Sequence, residues 1–298
     1  MGAVQITAYQ KCSSVEQEFM NSGGTMIGTI LGGLRQRRRS DVTEDLYEQV
    51  CDLLLTSRRT VVLTGAGIST RSGIPDFRSP ESGIWKHADP LDVASIWGFR
   101  EHPEHFYQWI RPLAQKMAVA EPNPAHRALA SLEAQGLLDL IITQNIDNLH
   151  QRAGSSRVVH VHGSTEGATC LACHYQERDP HFWDGFIYGK DDGAMPRCPQ
   201  CRTVLKPNVV LFGEDLPHED LVHAQQAALH CDLMLAVGTS LEVMPAADLP
   251  LLAKRRGARL VILNLSGTLA DHKADLIVRE DLVLSLPRIA ERCQARQK

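Results

Sequence analysis

The sequence predicts an α/β fold, a doubly wound parallel sheet with a smaller metal-stapled lobe. Three observations carry that prediction. Short apolar runs without alternation, such as Thr60-Val-Val-Leu-Thr64, recur between helical segments, as expected of strands buried on both faces. Four cysteines stand in two C-x-x-C pairs separated by 24 residues. Small and polar residues follow directly after five of the predicted strands, where an open α/β sheet places its ligand crevice.

Composition is compatible with this. The 298 residues are 43% hydrophobic and 22% charged, enough for one large core with a smaller insertion. A net charge of −4 and a pI of about 6.3 predict no specific nucleic-acid partner and no membrane surface. No apolar run approaches the roughly 18 residues of a membrane span. Nothing in the sequence fixes the oligomeric state; a monomer is the simplest expectation.

Residues 1–40 contain Asn21-Ser-Gly-Gly24 and the run Arg35-Gln-Arg-Arg-Arg39. They read as a mobile tail. A targeting or anion-binding role for the arginines is the alternative, although Glu16 and Glu18 speak against a mitochondrial presequence. A true start at Met20 or Met26 is also open.

The elements follow in order. Asp41-Val-Thr-Glu44 is a D-x-x-E pattern in which Asp41 caps first-turn N–H groups and Glu44 reaches back. Leu46, Val50, Leu53 and Leu54 then recur at helical spacing. Residues 60–64 form the first strand. Asn123-Pro124 caps a helix running to Gly136, and 138–143, 158–161 and 209–212 read as strands. A helix over 219–231 precedes the strand 233–237. The helix 246–256 stops at Gly257, which leads into the strand 260–263; the strand 276–278 precedes a final helix. Two stretches break this rhythm. Residues 74–117 hold Trp85, Trp97, Phe99, Phe106, Tyr107 and Trp109, and residues 166–206 hold the cysteine pairs. Both read as insertions that build the smaller lobe. The large lobe then comprises 41–73, 118–165 and 207–298.

Cys170, Cys173, Cys198 and Cys201 have the spacing of a tetrahedral zinc site with four thiolates, which leaves no open position for water and is therefore structural. Two disulfides are the alternative. The scattered Cys12, Cys51, Cys231 and Cys293 and the lack of a secretory signal argue for a reducing, cytoplasmic compartment instead.

The strand ends carry the chemistry. Gly65-Ala66-Gly67-Ile-Ser-Thr70 lets backbone N–H groups approach a pyrophosphate, or else makes a tight turn. Asp76-Phe77-Arg78 continues it, and a guanidinium clamps phosphate with two donors at fixed geometry. Gln144-Asn145-Ile146-Asp147 places polar side chains where a ligand would use them, with loop capping as the alternative. His162 lies just past a strand and is a candidate general base, with His160 as a decoy on the same strand face. Gly238-Thr239-Ser240 and Asn264-Leu-Ser266 end two further strands.

Taken together, GAGISTRSGIPDFRS (65–79), TQNIDNLH (143–150), HG (162–163), the cysteine tetrad, KPNVVLFGE (206–214), GTSL (238–241) and Asn264 resemble the sirtuin family of NAD⁺-dependent protein deacylases, in the family's order over residues 45–290. The resemblance implies a Rossmann-like large lobe, a zinc-ribbon and helical small lobe with one structural zinc, and a peptide cleft between them. It implies transfer of the acetyl group of acetyl-lysine to ADP-ribose with release of nicotinamide, on protein substrates. Ala66, Gly67 and Arg78 would hold the NAD⁺ phosphates, joined by Ser240, with Gly65, Thr70, Asp76, Ile146, Gly238 and Thr239 lining the site. Phe77 would cover the reacting ribose. Gln144, Asn145 and Asp147 would hold the nicotinamide ribose, a water and the carboxamide, and His162 would be the general base. Asn264 would meet the adenosine ribose, with Ser266 beside it and Leu282 against the adenine. Val210, Gly213 and Glu214 would pair with the peptide as an added strand, and Phe212 would pack on the acyl-lysine stem.

The chain departs from the pattern in places. Relatives that favour acidic acyl groups carry a Tyr-x-x-Arg pair near Phe106-Tyr107. Here Ile110 stands at that spacing from Tyr107, with Arg111 one position off. They also tend to have threonine where Asp76 stands. An unpaired carboxylate in an apolar pocket is costly, so neutral acyl groups are expected, acetyl first. Ser266 stands where an acidic or amide residue is common, and Leu211 where an aromatic is. The alternatives are a deacylase for longer neutral acyl groups, a mono-ADP-ribosyltransferase in the same cleft, and a non-catalytic NAD⁺-responsive module. A dehydrogenase is disfavoured by the missing third glycine and acidic partner.

Overall fold

The protein is described by a computed structural model covering residues 39–76, 89–179, 181–189 and 195–297. Residues 1–38 of the expected tail, and with them Phe77, Arg78 and Trp85, lie outside the described residues; its last two residues belong to the first helix.

Helix α1 (Arg39–Thr56) buries Tyr47, Val50, Cys51 and Leu54 and leads into β1 (Thr60–Thr64). The expected cap at Asp41 is corrected: the helix begins two residues earlier, so Asp41 lies within it. Glu44 does not reach back. Its carboxylate meets Arg288 at 3.0 Å and also Arg292, and guanidinium partners on a packed helix outcompete a local N–H.

Past the glycine turn, the chain makes α2 (Pro90–Val93), α3 (Ile96–Glu101) and α4 (Pro103–Val119). Helix α5 (Pro124–Ala134) is capped by Asn123, whose side chain accepts from the N–H groups of Ala125 and His126. Strand β2 (Leu140–Thr143), helix α6 (Leu149–Arg152) and β3 (Val158–His160) follow. Next come β4 (Gly163–Cys170), β5 (Gln176–Glu177), α7 (Asp184–Tyr188) and β6 (Leu205–Val209). The chain closes with α8 (His218–His230), β7 (Leu233–Val237), α9 (Leu249–Arg255), β8 (Arg259–Leu263), β9 (Leu276–Val278) and α10 (Leu282–Gln297).

Six parallel strands form one sheet in the order β3-β2-β1-β7-β8-β9. The chain builds outward from β1 to β3, then returns to the other side of β1. Val62 is in register with Ile141 on one side and Leu235 on the other. That order is the doubly wound Rossmann-like arrangement, and its switch point falls between β1 and β7. Both faces are covered. Val62, Ile141 and Leu235 pack with Val50, Leu129 and Ile289 on one face, and Val61, Leu63 and Met234 pack with Ala224 and Ala253 on the other. This is why the strands read as unbroken apolar runs.

A second, antiparallel sheet has the order β5-β4-β6. Here the expected strand at 209–212 is corrected. The strand spans Leu205–Val209 and belongs to this small sheet, while the next residues bond to separate partners: Val210 N–H to the His162 carbonyl, Phe212 N–H to the Ala94 carbonyl. An apolar β-branched run does not announce which sheet it will join. The aromatic residues between 96 and 109 fold as α3 and α4; in a separate cluster Phe99 packs edge-to-face on Phe106, Phe106 on Tyr107 and Tyr107 on Phe186, while Trp97 is exposed.

Candidate active site

The C-terminal ends of β1, β2, β7 and β8 lie side by side, with β3 beyond, so the five polar strand ends share one rim. At the switch point two glycine turns interlock. Gly67 N–H donates to the Gly238 carbonyl at 2.9 Å, and a Cβ on Gly67 would stand 2.8 Å from that oxygen. Gly238 has φ +61, and a Cβ there would lie 2.6 Å from the Ile68 nitrogen. These glycines are therefore fixed by the contact between the turns as well as by any ligand. Among the described residues no acceptor takes the Ala66 N–H. Thr70 Oγ1 donates to the Gly67 carbonyl at 3.0 Å. Leu282 is buried behind Gly238, its Cδ1 3.0 Å from where a Cβ would stand.

Beside this turn lies a buried polar network. Ser69, 1% exposed, donates to Asp147 Oδ2 at 2.9 Å and accepts from Asn145 Nδ2 at 3.2 Å. Asn145 Nδ2 also lies 3.2 Å from the Gly65 carbonyl, and the Leu149 N–H donates to Asp147 Oδ1 at 3.1 Å. Burial pushes the Asp147 carboxyl above its ordinary value, opposed by the Leu149 and Ser69 hydrogen bonds. A cavity of about 20 Å³ is lined by Ala66, Ser69, Ile74, Asn145, Ile146 and Asp147. Gln144 Nε2 donates to Thr239 Oγ1 at 2.9 Å, so the ends of β2 and β7 are tied across β1.

His162 follows β3 by two residues. Its Nδ1 lies 2.9 Å from the Gln144 carbonyl, which only an N–H can satisfy, so the lone pair is on Nε2. Burial lowers the imidazole pKa, outweighing that carbonyl. His160 differs: Nδ1 meets the Asn145 carbonyl at 3.1 Å and Nε2 meets Gln151 at 2.6 Å, so both nitrogens are occupied. At β8, Asn264 Nδ2 donates to the Ser266 carbonyl at 2.9 Å.

On the other side of His162, its carbonyl accepts from Val210. Phe212 is 42% exposed and its backbone bridges Ser95, while Glu214 lies 3.0 Å from Lys206. Tyr107 is buried with its hydroxyl on the Leu205 carbonyl, and the Arg111 guanidinium sits 4.6 Å over the Phe186 ring.

The four cysteine sulfurs lie within 4.8 Å of one another, with Cys170–Cys201 at 3.4 Å and Cys173–Cys198 at 3.5 Å. Tetrahedral zinc with bonds of about 2.3 Å requires separations near 3.8 Å. The two knuckles repeat one geometry: His174 N–H to Cys170 carbonyl and Arg202 N–H to Cys198 carbonyl, both 3.0 Å, with φ +61 and +67 at the turning residues. The donor set fits zinc.

Sequence reasoning missed Ser69 and Arg279. Ser69 lay inside the glycine motif, but nothing in the string marks a hydroxyl that turns inward. Arg279 binds the Asn264 and Ser266 carbonyls at 3.0 and 2.7 Å and pairs with Asp271, knotting the loop after β8. Two of its partners are backbone carbonyls and all three lie beyond helical or hairpin spacing, so no sequence pattern betrays it.

Comparison with known proteins agrees with this arrangement. Residues 65–245 match the model of the Sir2 family. The NAD-dependent protein deacylase 2 of Archaeoglobus fulgidus is 45% identical over 83% of this chain and 96% of its own. The NAD-dependent protein deacetylase of Thermotoga maritima is 43% identical over 82% of this chain and 97% of its own. Among solved structures, a Sir2 protein with p53 peptide and NAD⁺ superposes with a TM-score of 0.75 at 41% identity, covering 83% of this chain and 98% of that one.

Proposed function

The chain belongs to the Sir2 family, and from that premise we propose that it is an NAD⁺-dependent protein-lysine deacetylase. It moves the acetyl group of acetyl-lysine to ADP-ribose and releases nicotinamide. The observation that carries this reading is His162: a neutral imidazole, its Nε2 lone pair fixed by the Gln144 carbonyl, at the rim that also holds the interlocked glycine turns.

NAD⁺ bound there supplies an electrophilic ribose carbon with nicotinamide as its leaving group. The residues that would hold it are those at the rim. Ala66 and Gly67 offer the glycine turn, with Arg78 in the segment that follows it. Thr239 and Ser240 stand across the switch point, and Asn264, Ser266 and Leu282 stand towards β8 and α10. Asn145, Ile146 and Asp147 line the small cavity, whose polar groups suit a carboxamide. His162 Nε2 takes a proton from a sugar hydroxyl, which a neutral imidazole does and an imidazolium does not. The segment Val210–Glu214, bonded to the His162 carbonyl, receives the peptide backbone beside that base. The cysteine tetrad would hold zinc, which would staple the end of β4 to the turn before β6.

We place the acyl preference at neutral groups, acetyl first. The Tyr107 hydroxyl is committed to the Leu205 carbonyl, and Arg111 stands one position off the Tyr-x-x-Arg spacing, buried with its guanidinium over the Phe186 ring, an arrangement that favours neutral acyl groups. Thiolate zinc ligands favour a reducing, cytoplasmic setting.

The test is incubation of the protein with acetyl-lysine and succinyl-lysine peptides, with and without NAD⁺, following peptide mass and nicotinamide. NAD⁺-dependent loss of acetyl with matched nicotinamide is expected. It should be faster than any loss of succinyl and abolished by His162→Ala, which should keep NAD⁺ binding. NAD⁺ cleavage with intact acetyl-lysine would move the assignment to ADP-ribosyl transfer.

A further inference from the structure

Lys206 is 7% exposed, and its ammonium makes three hydrogen bonds: to the carbonyls of Pro207 at 2.9 Å and Val209 at 2.8 Å, and to Glu214 Oε2 at 3.0 Å. All three of its donors are thereby spent. The same Glu214 oxygen accepts from the Leu211 N–H at 2.8 Å, and the Glu214 N–H returns to the Leu211 carbonyl at 3.0 Å. Residues 209–214 are thus a tight loop closed around an ion pair whose ammonium is buried and whose carboxylate is half-buried.

The outer side of the loop is tied just as firmly. Val210 N–H donates to the His162 carbonyl at 2.9 Å. Phe212 N–H donates to the Ala94 carbonyl at 2.8 Å, and its carbonyl accepts from Ile96 at 3.0 Å. The N–H groups of residues 210, 211 and 212 are therefore all committed. The Val210 carbonyl and the Gly213 amide have no partner among the described residues. They are two of the backbone groups an added strand would use.

Stability does not account for the ion pair. An ion pair with one partner buried gives little net stability, because the cost of desolvating the ammonium offsets its attraction to Glu214. What Met or Leu would not do is hold two carbonyls and a carboxylate of one loop at fixed positions. We propose that Lys206 is a positioning residue for the peptide substrate: its ammonium sets the shape of the 209–214 loop, so that the Val210 carbonyl and Gly213 amide meet an acyl-lysine peptide in register with His162. This rests on the deacetylase reading for the identity of the peptide.

The test compares wild type with Lys206→Met and with Lys206→Met/Glu214→Met, which leaves no unpaired charge. Three quantities are read: thermal midpoint, affinity for ADP-ribose, and binding of a fluorescent acetyl-lysine peptide by anisotropy with ADP-ribose present. The double variant should still fold cooperatively, melting below wild type because the Pro207 and Val209 carbonyls and the Leu211 N–H lose partners, and should keep ADP-ribose affinity within about two-fold, while peptide affinity falls about ten-fold or more, the scale of one or two lost backbone contacts. Wild-type peptide affinity in a folded double variant would overturn the proposal. So would equal loss of both ligands, or a wild-type protein that binds no acetyl-lysine peptide. A wild type that binds the peptide without NAD⁺-dependent turnover would sink the deacetylase reading and leave this one to be decided by the variants.

Discussion

His126 gives the most quantitative prediction. It is 0% exposed at the start of α5, its Nδ1 3.4 Å from the Asn123 N–H and its Nε2 3.4 Å from Ser69 Oγ. Its ring meets that of His150 edge-on at 5.0 Å. Burial, helped by the neighbouring Arg127, lowers its pKa from 6.5 to about 4. The folded value lies below the unfolded one. The stabilisation is therefore fully present above pH 6.5 and is lost as pH falls towards 4, because the unfolded chain binds a proton that the native site refuses. Between pH 7 and 5 the loss works out at about 2 kcal/mol, or roughly 4–8 °C in melting temperature for a chain of this size. His126→Gln offers an acceptor to Asn123 and a donor to Ser69 and does not titrate. Melts of both proteins at pH 7, 6 and 5 should show the variant losing about 2 kcal/mol less over that interval. The buried His150, shifted in the same direction, should leave the variant some acid sensitivity. Identical pH slopes for the two proteins would refute the reasoning.

Two further outcomes follow from the geometry. Gly67→Ala brings a Cβ to 2.8 Å from the Gly238 carbonyl oxygen and 2.9 Å from its Cα. The turns must part, at a cost of about 1–3 kcal/mol, and both melting temperature and ADP-ribose affinity should fall; no change in either would contradict the interlock. Removing the metal by chelation, or by Cys198→Ser, should free one zinc per chain by metal analysis. Peptide binding should weaken while ADP-ribose still binds, because the tetrad anchors β4 and the turn before β6, and its buried cysteines pack with Ala168 and Leu205 of the small sheet. Full peptide affinity in zinc-free protein would exclude that role.

The parts legible in the sequence were those whose cause is local. Unbroken apolar strands, the Asn123 cap and the paired C-x-x-C knuckles are each written within a few residues, and the structure forms each of them. The strand ends were legible for a related reason: an α/β sheet spends polar residues there only on loops or ligands. What was not legible depends on distant partners. Glu44 looked like a capping residue because the string does not show that Arg288 and Arg292 will lie beside it. The run at 209–212 looked like a strand because its apolar pattern is the same whether its N–H groups find one neighbouring strand or several unrelated carbonyls. Gly67 was read for its openness to a ligand, while the nearest claim on its missing side chain is another turn, more than 170 residues on.

The acid limits of folding and of turnover share a physical source. His126, His150 and His162 all stand within the polar layer at the C-terminal ends of the strands, and burial lowers the pKa of each. For His162, the proposed base, the same shift keeps the imidazole neutral with its lone pair on Nε2 through the neutral range. For His126 and His150 the same desolvation brings only acid sensitivity. Their return is the packing and hydrogen bonds they give to Ser69 and Thr64. Ser69 then holds Asp147, and Thr64 ends the strand at the switch point. A site that needs dry, neutral imidazole therefore carries a built-in acid weakness. Restoring solvent to the layer, with a small side chain at position 126, should lower stability at neutral pH, flatten its loss on acidification in melts at pH 7 and 5, and loosen the hydroxyl that orients Asp147.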